Sequence, residues 1–232
     1  MMNIRRIGAI FEKDLKDFMK NMMLILMPVV PIVLSLFYRQ MGVGEEMPLS
    51  IIYIIVGVVF TTVTANCIIA MMAEEKEKKT LHGLTMSPAS FLDVIIGKSL
   101  VTGLMTLITL VISLTIIGMD PILNIRGLVG LILLFLFFLL IGIGVGLFAK
   151  SVSAASAYIM PIMFAFGFTP MIEFMNLSKD NLALRISDVF PLPQLISMSE
   201  TETWMPLFVV TIWVLGAALF TYICFKRTQK FS

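Results

Sequence analysis

The feature that most constrains this chain is a series of six long apolar stretches separated by shorter polar segments. A bilayer core about 30 Å thick is crossed by a helix of about 20 apolar residues. The stretches that meet or approach this length are 21–38, 49–73, 97–119, 127–149, 151–172 and 203–225. They predict an all-α integral membrane protein with six transmembrane helices, whose even number places both termini on the same side.

The composition agrees with a lipid environment for most of the chain. Of the 232 residues, 59% are hydrophobic and 14% are charged, whereas a soluble domain has roughly 45–50% and 25%. The net charge of +2 is too small to indicate binding to nucleic acid. No repeat or low-complexity tract divides the chain, so residues 1–232 are interpreted as a single transmembrane domain.

Lys and Arg residues are distributed unevenly between the two sides of the predicted bundle. If the N-terminus is cytoplasmic, 13 of them lie on the cytoplasmic side and 4 lie outside. Positive residues concentrate in the cytoplasmic segments of membrane proteins. The expected location is therefore the cell (plasma) membrane, with multiple spans and both termini cytoplasmic.

Residues 3–20 have the pattern of an amphipathic helix. Apolar side chains recur every three or four residues, at Ile4, Ile7, Phe11, Leu15, Phe18 and Met22, which is one stripe of a helix. We expect this interfacial helix to lie along the cytoplasmic leaflet, with its basic side chains near the headgroups. The alternative is a helix packed against another part of the same protein.

Two segments are predicted to lie outside the spans. Residues 74–96 form the longest cytoplasmic loop, and residues 173–202 form the longest external loop. The external loop contains Pro191, Pro193 and many apolar residues. It is therefore expected to form short external re-entrant or interfacial helices before the last span.

The cytoplasmic loop begins with a charged cluster that is followed by a short apolar pattern. The pattern consists of Glu74, Glu75, Lys76, Glu77, Thr80, Leu81, Leu84, Ser87, Pro88, Gly97 and Lys98. From the residues alone, this segment is either a helical knob that a soluble partner grips or a solvated loop whose lysines enforce the topology.

This pattern resembles the signature of ABC-2 type transporter permeases, the transmembrane subunits of ABC transporters. The fifth span, with Pro161, Gly167 and Pro170, and the N-terminal helix at the position of the family's connecting helix agree with the resemblance. The resemblance implies that residues 74–96 are a coupling loop that docks on a cytosolic ABC ATPase. The residues expected to dock are Glu74, Glu75, Glu77, Thr80, Leu81, Leu84, Ser87 and Pro88.

The sequence contains no convincing catalytic or cofactor-binding motif. Gly97-Lys98-Ser99 resembles the end of a P-loop, but Leu92 stands where the first glycine is required. His82 is the single histidine, and both cysteines lie in apolar runs, so no metal site is expected. The chain is therefore not expected to be an enzyme or to bind a cofactor itself, and ATP with Mg²⁺ is expected in the partner ATPase.

Four polar residues in or at the edge of the spans are candidates for lining a translocation pathway: Thr61, Thr64, Asn66 and Glu173. Polar and ionisable groups inside a membrane often mark such a pathway. However, Thr commonly bonds its own helix and Asn a neighbouring helix. Packing is therefore the alternative for the first three, and simple solvation is the alternative for Glu173.

Two hypotheses for the function follow. The first is a permease subunit of an ABC exporter, which pairs with a second copy or a paralogue to form a dimer of transmembrane domains. Its cargo would be amphipathic or lipophilic, such as a peptide, toxin or drug, because 19 Met and 18 Phe residues provide a flexible apolar lining. Small ABC-2 permeases of this length resemble peptide exporters. The second hypothesis is a non-transporting membrane scaffold or sensor that recruits a cytosolic partner through residues 74–98.

Overall fold

A computed structural model describes residues 4–42, 47–77, 90–119, 122–149, 151–175, 181–201 and 203–230. Its α-helices are α1 (Ile4–Lys20), α2 (Met22–Met41), α3 (Leu49–Val59), α4 (Asn66–Glu77), α5 (Phe91–Ile117), α6 (Ile125–Phe148), α7 (Val152–Ile162), α8 (Leu182–Ser187), α9 (Pro191–Thr201) and α10 (Met205–Lys230). Phe60–Ala65 and Met163–Gly167 are π-helical, and Thr169–Met175 is a 3-10 helix. These described ranges contain helices and no strand, which confirms the all-α class.

Five helical segments are long and apolar enough to cross a membrane: α2, the continuous segment 49–77, α5, α6 and α10. We call the segment 49–77 the second span and α10 the sixth span. A further candidate joins Val152–Gly167 to Thr169–Met175 at an angle of 56°, and we call it the bent fifth segment. Because proline cannot donate a backbone hydrogen bond, Pro161 interrupts the helical bonding before this bend, whereas Pro170 stands in the first turn after it, where proline is tolerated. The structure is consistent with the six predicted spans, and the fifth of them is broken.

Two boundaries differ from the sequence prediction. The second span continues from residue 73 to Glu77, and α5 begins at Phe91 rather than at residue 97. A capping box sets the start of α5, because Ser90 and Asp93 exchange hydrogen bonds of 3.0 and 3.2 Å. Residues 91–96, which were predicted as part of the cytoplasmic loop, are therefore helical and continuous with the third predicted span.

The N-terminal amphipathic helix is confirmed, and the protein itself covers a large part of its apolar stripe. Ile7, Ile10 and Phe18 are buried on α1. A Cβ atom placed on Gly97 of α5 would lie 2.6 Å from the Ile10 side chain, so the two helices are in close contact there. This face of α1 therefore follows the alternative interpretation, a helix packed against the rest of the chain. Ile4 lies outside this contact and is 84% exposed.

The segment before the sixth span, which was predicted to contain short helices, forms α8 and α9. The Asn181 side chain begins α8 by accepting a hydrogen bond of 2.9 Å from the backbone N–H of Ala183. Most of α8 is exposed, whereas Leu192, Leu195 and Ile196 of α9 are buried in the main core. The second of these helices is therefore part of the bundle rather than a surface element.

The second span lies at the centre of the bundle. In its most apolar stretch of 18 residues, 89% of the residues are buried, against 22% in the corresponding stretches of α2 and of the sixth span. Gly142 and Gly146 of α6 allow a close approach to it, because a Cβ atom on Gly146 would lie 2.9 Å from Met72 Cβ. The small residues of this Gly-x-x-x-Gly pattern therefore serve packing within the chain.

Candidate functional site

The end of the second span connects to four other helices through three consecutive charged residues. Glu75 forms ion pairs with α1 and α5, Lys76 bonds the end of α6, and Glu77 bonds the start of α7. We call this set the charged junction; its members are Lys13, Asp14, Glu75, Lys76, Glu77 and Lys98. Its members Glu75, Lys76 and Glu77 lie directly before residues 78–89, which fall outside the described ranges.

The centre of the charged junction is the ammonium group of Lys98. Its Nζ atom lies 3.1 Å from Asp14 Oδ2 and 3.0 Å from Glu75 Oε1. The side chains of Lys98, Asp14 and Glu75 are only 2%, 3% and 10% exposed. Buried charges of this kind are tolerated when each has an opposite charge at hydrogen-bond distance. Lys98 therefore holds α1 against the second span through two carboxylates.

Lys13 of α1, which lies at the surface, supplies a second positive charge to the Asp14 and Glu75 carboxylates. Its Nζ atom lies 3.3 Å from Asp14 Oδ1 and 3.3 Å from Glu75 Oε1, and its side chain is 50% exposed. Burial lowers the pKa of Lys13, but the Asp14 and Glu75 carboxylates outweigh this effect and raise the pKa above its ordinary value. Lys13 is therefore charged at neutral pH, and two ammonium groups face two carboxylates in the junction.

Lys76 and Glu77 hold the corner between α6 and α7. The Lys76 ammonium donates a hydrogen bond of 2.8 Å to the carbonyl oxygen of Leu147, in the last turn of α6. Glu77 Oε2 accepts a hydrogen bond of 2.8 Å from the backbone N–H of Val152, the first residue of α7. The cation meets the negative end of one helix dipole, and the anion meets the positive end of the other. Both helix ends are therefore attached to α4.

The predicted docking residues divide into two groups. Thr80, Leu81, Leu84, Ser87 and Pro88 lie outside the described residues. Glu74, Glu75 and Glu77 are helical, and the contacts above turn Glu75 and Glu77 toward the protein itself. A docking role for these residues stays a prediction. The Glu75 side chain is 10% exposed, and Lys13 and Lys98 both bond its Oε1 atom.

Sequence reasoning did not find Asp14, Lys13 or the structural role of Lys98. A signal for Asp14 was present, because it follows Ile10 by four residues and precedes Phe18 by four residues. A carboxylate on the buried face of an amphipathic helix requires a positive partner. The identity of that partner, 84 positions later in the chain, depends on the tertiary fold.

The two threonines among the predicted pathway residues of the second span have hydrogen-bond partners inside the bundle. The Thr61 hydroxyl donates to the carbonyl oxygen of Gly57 at 2.8 Å. Thr64 Oγ1 lies 2.8 Å from Thr106 Oγ1 on α5. These bonds are the ones that the packing alternative requires. Asn66 is half-buried, and its side-chain oxygen has no hydrogen-bond partner among the described residues.

Glu173, the fourth predicted pathway residue, lies elsewhere. It is exposed on the bent fifth segment and accepts a hydrogen bond from the hydroxyl group of Ser50. The structure therefore does not bring the four candidates together in one cluster of contacts. A pathway-lining role for each of them stays a prediction.

The two π-helical segments meet where the second span contacts the bent fifth segment. The Thr61 side chain lies 2.9 Å from a Cβ atom placed on Gly167, and the backbones of Gly57 and Gly167 are in direct contact. Isolated π-helical turns occur frequently at functional sites. The contact contains two glycines because a side chain at either position would overlap the opposite segment.

These features define a polytopic helical membrane protein whose second span is central and whose helices are joined by charges at one end. Residues 34–225 match the family described as ABC-2 family transporter protein. The chain belongs to this family, and it is a transmembrane permease subunit of an ABC transporter. No curated protein matches the chain.

Proposed function

We propose that this chain is the permease half of an ABC exporter in the cell membrane, with both termini cytoplasmic. A separate cytosolic ATPase binds the coupling loop at 74–96 and supplies the energy, while two permease chains form the translocation pathway. The family membership supports the transport role. The excess of Lys and Arg at the end that carries α1 and Lys98 supports the orientation.

The charged junction is the single observation that carries the mechanism. The segment 78–89 connects α4 to α5, and both of these helices are bonded to α1 through Glu75, Lys98 and Asp14. Lys76 and Glu77 add the ends of α6 and α7. A force on the connecting segment therefore acts on five helices together. This arrangement transmits ATPase movement into the bundle without any catalytic residue in this chain.

Exposed Met and Phe side chains on the bent fifth segment support an amphipathic or lipophilic cargo. Met160, Phe164 and Met175 are 58%, 64% and 65% exposed. Flexible thioether and aromatic side chains can adapt to apolar groups of different shapes. The expected assay result is ATP-dependent accumulation of a fluorescent amphipathic peptide in inside-out vesicles, in which export is directed into the lumen.

Leu81→Arg tests the docking of the ATPase. We expect the wild-type chain, purified from its native membrane, to retain a P-loop ATPase that mass spectrometry identifies, and Leu81→Arg to lose it. Leu81 is a better choice than Glu75, because replacing Glu75 would also disrupt the buried ion pairs. Leu182→Arg is the matched control, because Leu182 is 71% exposed in the segment predicted to be external. Equal retention of the ATPase by Leu81→Arg and wild type would contradict the proposed docking site.

Single cysteines test the orientation. Cys67 and Cys224 are buried, so the background reaction with a membrane-impermeant maleimide is expected to be low. On intact cells we expect Leu182→Cys to be labelled and Thr80→Cys to be labelled only after the membrane is opened. Labelling of Thr80→Cys on intact cells would contradict both the orientation and the cytosolic ATPase.

A further inference from the structure

An apolar groove runs along the outside of the bundle between α5 and α6. Its floor contains Phe60, Leu110 and Leu131, which are 1%, 8% and 9% exposed. Its rim contains Leu107, Val111 and Ile132, which are 59%, 48% and 59% exposed. A buried floor with an exposed rim means that the groove opens sideways, away from the centre of the bundle.

The length of the groove corresponds to one leaflet of a bilayer. It extends along α5 from Gly103 to Leu114, a rise of about 16 Å at about 1.5 Å per residue. The hydrocarbon core of one leaflet is about 15 Å deep. Since α5 runs from Phe91 to Ile117, the groove lies in the half of this span that is nearer to Ile117.

The width of the groove admits one hydrocarbon chain. The volume is about 500 Å³, and dividing it by a length of about 16 Å gives a cross-section of about 30 Å². Carbon atoms in contact are about 4 Å apart, so one alkyl chain fits this section. A helix with its side chains is about 10 Å wide, so a helix of a second copy would insert only side chains into a groove of this section.

The chemistry of the lining agrees with a hydrocarbon occupant. Thr106 is the one lining residue with a side-chain hydroxyl group. It donates its hydrogen bond to the carbonyl oxygen of Thr102 and accepts one from Thr64. The groove therefore offers no free polar group to a ligand among its lining residues, and an occupant gains contact by burying apolar surface.

We propose that this groove binds one acyl chain of a bilayer phospholipid from the leaflet that surrounds the Ile117 end of α5. The binding does not depend on the ATPase or on the transported cargo. The lipid fills the space beside the π-helical segment at Phe60 and thus supports the second span from outside.

Photolabelling tests the proposal directly. The protein is reconstituted in vesicles of phosphatidylcholine and phosphatidylglycerol that contain a phosphatidylcholine with a diazirine on its acyl chain. We expect labels on the floor residues Leu110 and Leu131 in the wild type. The double variant Leu107→Trp with Ile132→Trp covers the floor from the rim, and labelling of the floor is expected to fall at least fivefold.

A matched variant separates occupancy of the groove from a general effect of tryptophan. Ile108→Trp with Leu136→Trp changes neighbouring exposed positions on the same two helices that do not line the groove, and floor labelling should equal that of the wild type. Native mass spectrometry should show one retained phospholipid per chain in the wild type and this control, and none in the covered variant. An unlabelled floor in the wild type would overturn the proposal. Leu107→Cys chains that form a disulfide-linked dimer would assign the face to a second copy instead and would also overturn it.

Discussion

The second span and the sixth span are both long apolar helices, but the protein uses them in opposite ways. In the most apolar 18-residue stretch of the second span, 89% of the residues are buried inside the protein, whereas 22% are buried in that of the sixth span. The apolarity of a helix therefore predicts that it lies in a membrane. It does not predict whether protein or lipid surrounds it.

Local packing explains the difference between the two spans. The second span is contacted on one side by the glycines of α6 and on another by Gly167 of the bent fifth segment. At its end it carries the charged junction. In the sixth span, by contrast, a Cβ atom on Gly216 would meet no heavy atom within 4 Å in the described part of the chain. The central helix is thus defined by close backbone contacts and buried charges.

Replacing the central cation should cause the largest change in stability. Lys98→Met removes the buried cation that the Asp14 and Glu75 carboxylates share and leaves them the half-exposed Lys13 ammonium. Breaking a buried ion pair in this way costs about 3–5 kcal/mol. We expect a large fall in the thermal unfolding temperature of the detergent-purified protein.

Lys226→Met is the control for this prediction, because Lys226 lies exposed near the end of the sixth span. An exposed lysine contributes about 0–1 kcal/mol, so its removal should leave the unfolding temperature almost unchanged. Equal unfolding temperatures for the Lys98 and Lys226 variants would show that the charged junction does not hold the helices together.

Much of the fold could be predicted from the sequence, because a bilayer requires long apolar helices. The six stretches, the N-terminal helix and the short helices before the sixth span were all recognisable. The extension of the second span to Glu77 was not, because the apolar pattern ends at residue 73 while the charged residues continue the helix through bonds to α1, α5, α6 and α7.

The candidate site was predictable only in part. The cluster from Glu74 to Glu77 stood out by its charge, but the sequence suggested that it faces a soluble partner. The structure gives Glu75 partners on α1 and α5 that are far away in sequence. A local pattern does not contain such pairings, since they depend on how α1 packs against the spans.

A matched pair of glycine substitutions should change the stability in opposite directions, at the contact between α6 and the second span and in the sixth span. A Cβ atom on Gly142 would overlap Ile68 and lie 3.1 Å from the backbone of Ala65. Gly142→Ala should therefore destabilise the protein by about 1–3 kcal/mol, the usual cost of overpacking. The measurement is again the thermal unfolding temperature.

Gly216→Ala in the sixth span should have the opposite effect. The added methyl group has open space, and alanine favours a helix over glycine by up to about 1 kcal/mol. The unfolding temperature should stay the same or rise slightly. A fall as large as that of Gly142→Ala would mean that another molecule covers this face of the sixth span.

The smallest expected effect concerns the hydrogen bond between the second span and α5. Because Thr106 donates to the carbonyl oxygen of Thr102, its oxygen accepts the hydrogen of Thr64. Such bonds between membrane helices contribute about 0.6 kcal/mol on average and at most about 1.7 kcal/mol. Thr64→Val should therefore lower stability by about 1 kcal/mol, and a double-mutant cycle with Thr106→Val should give a coupling energy of similar size.

Thr211→Val in the sixth span provides the comparison for Thr64. The Thr211 hydroxyl donates to the carbonyl oxygen of Leu207 in its own helix, so its removal breaks no contact between helices and should change stability by less than about 0.5 kcal/mol. If Thr64→Val also preserved stability but altered peptide transport, the hydroxyl group of Thr64 would act on the cargo. The second span would then be a pathway wall at this position, since a purely structural threonine affects transport only by way of stability.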